Sequence, residues 1–149
     1  MKNIKNKLVE ILKTDYCTPQ IARMARTLNE APTTIHYNVK KLEEEGAIKA
    51  YKAVFDHRKI DQGFCAFVMI SISSDEYGNP ERIAKELVKS ANVESVDICT
   101  GTWEIVIKVR AKDQAEYYEL VKNFVSRKGI RKIVTISSLK QLKSEFICL

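Results

Sequence analysis

Between residues 33 and 41 the chain sets out Thr33, Thr34, His36, Tyr37, Asn38, Lys40 and Lys41, which are hydroxyls, an imidazole, a phenol, an amide and two ammonium groups within nine positions. No nucleophile and base lie at a catalytic spacing here, so the chemistry on offer is recognition rather than bond making. Amides, hydroxyls and imidazoles can read base edges, and lysines neutralise phosphates. Ile35, Val39 and Leu42 recur at i, i+4 and i+7. If they form the buried stripe of a helix, then at 100° per residue Thr33, Tyr37, Lys40, Lys41 and Glu44 face outward, with His36 and Asn38 flanking. The three glutamates at 43–45 would repel phosphate and sit at the unfavourable end of the helix dipole. They must point away from a duplex, which puts the start of the helix in the groove and its end outside.

Such a helix has to be held by others. Ile4, Leu8, Ile11 and Leu12 have helical spacing, and Thr18 as N-cap with Pro19 at the first helical position opens a second helix whose apolar side is Ile21, Ala22, Ala25 and Leu28. Gly46 is placed to end the third in a left-handed turn. From residue 47 the period becomes two: Ile48, Ala50, Lys52 and Val54 alternate with Lys49, Tyr51, Ala53 and Phe55, which is strand spacing. Three short helices followed by a basic ribbon describe a winged helix-turn-helix over residues 1–50, with Lys49 and Lys52 tracking the flanking backbone and free amides near Thr18 receiving a phosphate. Residues 51–63 then form a linker strand and hinge ending in a polar, glycine-terminated segment.

Residues 64–149 read strand, helix, strand, strand, helix, strand. The strands lie near 64–72, 93–100, 103–110 and 130–139, and the helices near 80–90 and 114–126. Two βαβ halves of this length describe a ferredoxin-like α+β sandwich, four antiparallel strands with both helices on one face. In the first strand Phe64, Ala66, Val68, Ile70 and Ile72 point one way and Cys65, Phe67 and Met69 the other. Helices cover one face only. The second apolar face is therefore expected to meet the same sheet of a second copy, giving a homodimer, unless the chain's own tail covers it.

Bulk properties agree. The 149 residues are 45% hydrophobic, enough for a packed core, and carry a net charge of +6. The basic excess is greater at the front: residues 1–62 hold 12 Lys and Arg against 8 acids, and residues 63–149 hold 13 against 11. This permits a polyanionic partner. No apolar run approaches the roughly 20 residues of a membrane span, and the N-terminus lacks a secretion signal, so a cytoplasmic location is expected. Cysteines at 17, 65, 99 and 148 form no CxxC pair and have only His36 and His57 as possible co-ligands, which argues against a metal site. The five glycines stand at element boundaries, too far apart for a phosphate loop. No cofactor and no enzyme activity are expected.

The stretch TTIHYNVKKLEEEGAIKAYKAVFD, together with VESVDICTGTWEIVIKVR about 40 residues on, resembles the Lrp/AsnC (feast/famine) family of prokaryotic transcription regulators over essentially the whole chain. The resemblance implies an N-terminal DNA-binding domain, a linker strand and a C-terminal effector domain, also called the RAM domain, which dimerises through its sheet. It also implies dimers assembling into tetramers or octamers, double-stranded DNA as partner, and an amino acid or related metabolite as effector near the dimer interfaces. Thr100, Gly101, Thr102, Trp103 and Glu104 match the effector turn, with Thr135 and Ser137 on the last strand as neighbours. Read without the family, Gly101 is the glycine of a tight hairpin turn and Trp103 a core residue as readily as a ligand contact. Trp103-Glu104 replaces the family's usual Tyr-Asp, Ala31 stands where the third helix usually has a serine cap, leaving Thr33 to cap it one turn in, and Asn38 replaces a common arginine. Two alternatives of the same architecture are a sirohaem-decarboxylase-like enzyme recruiting His36 or His57, and a metabolite sensor whose helical domain no longer holds DNA.

Overall fold

A computed structural model describes residues 2–14 and 17–143. Cys148 lies outside the described residues. The chain divides into two compact units, Met1–Val54 and Phe55–Leu149.

The first unit holds α1 (Lys2–Leu12), α2 (Ile21–Leu28) and α3 (Pro32–Glu44). Thr18 does not cap the second helix and Pro19 is not its first residue: Gln20 stands at the N-cap, and the Ile21 amide bonds to the Pro19 carbonyl at 3.1 Å, forming a tight turn before regular helix begins. Asn29 ends α2 in the left-handed region, with φ 54° and ψ 44°, and its N–H donates to Ala25 and Arg26 carbonyls. Thr33 does not cap α3 either. Ala31 occupies the N-cap without a side-chain bond, and Pro32, which has no N–H to satisfy, takes the first turn. Gly46 ends the helix at φ +72°, and the Ile48 amide folds back to the Leu42 carbonyl at 3.0 Å.

Burial in this unit is concentrated where α2 meets α3, on Ala25 and Ile35. The expectation that three helices share one core is only partly met. Ile4, Leu8 and Ile11 lie 66%, 49% and 42% exposed along one side of α1, so that apolar stripe faces away from the small core. Nor does residues 47–55 form the expected ribbon: no strand precedes Phe64 among the described residues. A strand needs a ladder partner, and this segment finds a single backbone bond of that kind, Ala53 N–H to the Leu12 carbonyl at 3.2 Å. Its period of two survives as burial alone, with Tyr51, Ala53 and Phe55 half-buried between exposed Lys52 and Val54. The linker strand expected over 51–63 is replaced by this irregular segment and a short 3-10 turn, His57–Ile60, started by the Asp56 carboxylate accepting from the Arg58 N–H.

The second unit carries β1 (Phe64–Ile72), α4 (Pro80–Val88), β2 (Val93–Ile98), β3 (Ile105–Ala111), α5 (Gln114–Val125) and β4 (Ile130–Ser137). The strands form one sheet in the order β2-β3-β1-β4, with antiparallel neighbours throughout. Ala66, Val68, Ile70 and Ile72 of β1, Ile105, Ile107, Val109 and Ala111 of β3, and Ile83, Leu87 and Phe124 from the two helices make the core. Alternation puts the intervening residues on the other face. That face is not wholly apolar as expected. Phe67, Met69, Val106, Val134 and Ile136 share it with Lys108 and Arg110, which are 6% exposed, and the chain itself covers part of it.

Candidate nucleic-acid interface and effector loop

On α3, Thr33, Thr34, His36, Tyr37, Asn38, Lys40 and Lys41 are all exposed, because Ile35 and half-buried Val39 turn the opposite side inward. Tyr37 stands 68% exposed with nothing local to absorb its ring. Asn38 turns back on its own helix, its amide donating to the Thr34 carbonyl at 2.8 Å, so one N–H is engaged and the other, with the oxygen, is left for recognition. Lys41 leans towards Glu45 at 3.8 Å, a loose exposed i,i+4 pair that a phosphate readily displaces. The acids at the far end are partly occupied as well. Tyr51 donates its hydroxyl to Glu43 at 2.9 Å, which ties the irregular segment to α3, and desolvation together with that bond raises the Tyr51 phenol above its ordinary value.

Lys40 and His36 meet Thr18 across a groove of about 440 Å³ between the start of α2 and α3, whose walls include Pro19, Ile21, Val39 and Glu43. The structure thus brings Thr18, His36 and Lys40 together although Thr18 is no cap. Lys49 and Lys52 are exposed on the following segment, without the ladder that would fix their spacing.

The effector turn is longer than a tight hairpin. Ile98 pairs with Ile105, and the Cys99 N–H donates to the Glu104 carbonyl at 2.8 Å, leaving Thr100, Gly101, Thr102 and Trp103 as its tip. Thr100, Gly101 and Thr102 are exposed. Gly101 adopts φ +106° with open space where a Cβ would be, so backbone conformation rather than crowding calls for glycine. Trp103 is half-buried instead of core, and the Lys132 ammonium sits over its ring, 5.6 Å from the centroid. The Glu104 carboxylate accepts the Ile72 N–H at 3.0 Å.

Thr135 and Ser137 do not join this loop within one chain. They pair with Val68 and Ala66, four and six residues along β1 from Ile72, roughly 13 to 20 Å away at strand rise. Thr135 instead bonds the Tyr117 hydroxyl at 2.5 Å. Sequence reading missed Arg131 and Lys132, which flank the loop; the signal was two adjacent cations where alternation should put one on each face.

It also missed an ionic cluster on the open face. Glu94 accepts from Lys108 at 3.0 Å and from Arg110 at 2.7 Å, and Gln141 accepts from Arg110. Burial alone would raise the Glu94 carboxyl, but the hydrogen bonds from Arg110 and Lys108 outweigh it and hold the group below the usual range. His57 faces the same cluster, and burial, aided by Arg110, lowers its pKa. His57 is thereby occupied in the second unit's packing, whereas His36 lies open on α3 in the first. Among the described residues no group of three His, Cys, Asp or Glu is placed to hold a metal ion, and no helix is long and apolar enough to cross a membrane.

Comparison with known proteins matches this chain along its length. Residues 65–147 match the Lrp/AsnC ligand binding domain. An HTH-type transcriptional regulator of Pyrococcus furiosus is 32% identical over 139 residues, spanning 93% of this chain and 92% of the relative. The crystal structure of an AsnC family transcriptional regulator from Agrobacterium tumefaciens superposes with a TM-score of 0.78 at 22% identity, covering 100% and 97% of the two chains. The structure of a Neisseria meningitidis transcriptional regulator in complex with L-Met gives 0.72 at 19% identity, over 93% and 89%. With a family domain over more than half its residues and a regulator related to nearly all of it, the chain belongs to the Lrp/AsnC family of transcriptional regulators.

Proposed function

We propose that the chain is a sequence-specific DNA-binding regulator that responds to a small metabolite of the amino-acid class and works as a homodimer or a higher assembly of dimers. In this reading α2 and α3 act as a helix-turn-helix over residues 1–50, and the segment carrying Lys49 and Lys52 serves as its wing once partnered. Residues 51–63 are the hinge, and residues 64–149 bind the effector and dimerise. The observation that carries the reading is the polarity of α3: hydroxyls, imidazole and phenol on its exposed N-terminal part, lysines past its middle, and acids tied to Tyr51 and Lys41 at its end. That distribution suits a helix entering a major groove by its start.

Two apolar surfaces support pairing of copies. Phe67, Met69, Val106, Val134 and Ile136 form the apolar part of the open sheet face, and α1 presents Ile4, Leu8 and Ile11. An amino acid in the crystallised Neisseria relative favours the same effector class here, at Thr100, Gly101, Thr102, Trp103 and Glu104. Selection of bound genomic fragments with and without a panel of amino acids and their derivatives tests the reading. Recovery of a common pseudo-palindromic sequence, altered in yield by one ligand, is the expected result; recovery of random fragments would refute it.

A further inference from the structure

The β4 register slips beside the effector loop. Ser71 pairs with Lys132 and Ile72 with Ile130, so Arg131 is the extra residue of a β-bulge with no partner across the ladder. In a regular strand Arg131 and Lys132 would point to opposite faces. The bulge re-aims Arg131, whose guanidinium reaches the Ser71 hydroxyl at 3.2 Å, the residue opposite Lys132. Lys132 in turn lies over Trp103 at the tip of the loop. Two cations, an aromatic ring and a hydroxyl thus converge at one end of the sheet, and among the described residues neither Arg131 nor Lys132 makes an ion pair with a carboxylate.

The acid of the loop is otherwise engaged. The Ile72 N–H is completely buried next to the register shift, and the Glu104 carboxylate accepts it at 3.0 Å. An unpartnered buried amide is unfavourable, so through Oε2 Glu104 holds the loop against β1. With Glu104 counted, the charges of the cluster still sum to one positive.

We infer that the Trp103–Lys132–Arg131 cluster selects a small carboxylate of net negative charge, a 2-oxo acid in preference to the zwitterionic amino acid with the same side chain. The carboxylate lies between the Lys132 ammonium and the Arg131 guanidinium, where hydrogen bonds to charged groups are strongest. A zwitterion brings an ammonium to a cluster whose fixed charges already sum to one positive. This inference rests on the reading that the 99–104 loop is the effector site, and it moves the favoured effector from amino acids to their 2-oxo counterparts.

The test is calorimetric titration of the full chain with matched pairs: pyruvate and alanine, 4-methyl-2-oxopentanoate and leucine, phenylpyruvate and phenylalanine. The expected result is at least one oxo acid binding about tenfold or more tighter than its partner. That preference should vanish in Lys132→Gln, fall in Arg131→Gln and return in Lys132→Arg; both lysine variants alter an exposed side chain and leave the core intact. An amino acid that binds as well as or better than its oxo acid overturns the inference while leaving the effector loop in place. An oxo-acid preference unchanged by Lys132→Gln overturns it by locating the ligand elsewhere. If no member of either series binds while fragments of DNA are still retained, the effector reading falls together with the inference.

Discussion

Lys40 differs from Lys41 in that, among the described residues, no carboxylate pairs with it. It borders the groove with His36 and Thr18, where a phosphate has a cation, an imidazole and a hydroxyl within reach. Phosphate contacts set affinity and its salt dependence rather than sequence preference. Changing Lys40 and Lys41 together to Ala should therefore weaken binding to every DNA fragment by a similar factor, and should flatten the plot of log affinity against log salt by about one to two units of slope. An unchanged slope in filter-binding titrations would remove α3 from the interface. At the sheet, Glu94 pairs with two nearly buried cations, Lys108 and Arg110, and removing one partner of a buried ion pair costs about 3 kcal/mol. Glu94→Gln should lower the thermal midpoint at neutral pH. Both titrating groups act in one direction: the His57 and Glu94 pKa values are lowered on folding, so the unfolded chain binds more protons. Their contribution is present above the unfolded values and is lost as pH falls through the folded ones. Wild-type stability should decline from about pH 6.5 downward, first through His57 and then through Glu94, and the second decline should be absent in Glu94→Gln. A midpoint flat from pH 7 to pH 4 would contradict the cluster's role.

Elements were legible where local pattern decides them. The strand of alternating apolar residues at 64–72, the helix from Gln114 and the left-handed Gly46 are read directly from spacing and residue type, because period and backbone freedom are local properties. Helix starts were less so: Thr18 and Thr33 have the side chains of caps, yet Gln20 and Ala31 hold those positions because prolines at 19 and 32 set where the chain can turn into helix. The ribbon at 47–55 misled for a different reason, since alternation reports which side is wet and says nothing of whether a ladder partner exists. Arg131 was missed for a related one. A bulge is a relation between two strands, and neither strand's own sequence displays it. The bare cap of α3 yields a prediction. Ala31→Ser gives the exposed N-cap an acceptor for the amides of the first turn and should stabilise α3 by about 1 kcal/mol, seen as a higher midpoint in helical circular dichroism. A lower midpoint would mean that the Ala31-Pro32 turn does not tolerate the capping rotamer.

For the whole molecule, the proposed assembly turns on the open sheet face. Part of it is closed by the ionic cluster with Gln141, and part is left apolar around Phe67, which is 40% exposed between buried neighbours in β1. A face of this kind suits a copy of itself docked over the apolar part. Phe67→Asp should convert the protein to a monomer at micromolar concentration in sedimentation, with its fold intact and its DNA affinity greatly reduced; a variant that stays dimeric would move the interface elsewhere. The central claim is that two α3 helices read one duplex. Hydroxyl-radical footprinting on a selected genomic fragment tests it most directly. Paired readers predict two protected stretches related by a dyad, their centres about 34 Å or one helical turn apart along one face of the DNA. A single unpaired protected stretch, or uniform cleavage at protein concentrations that retard the fragment, would contradict it.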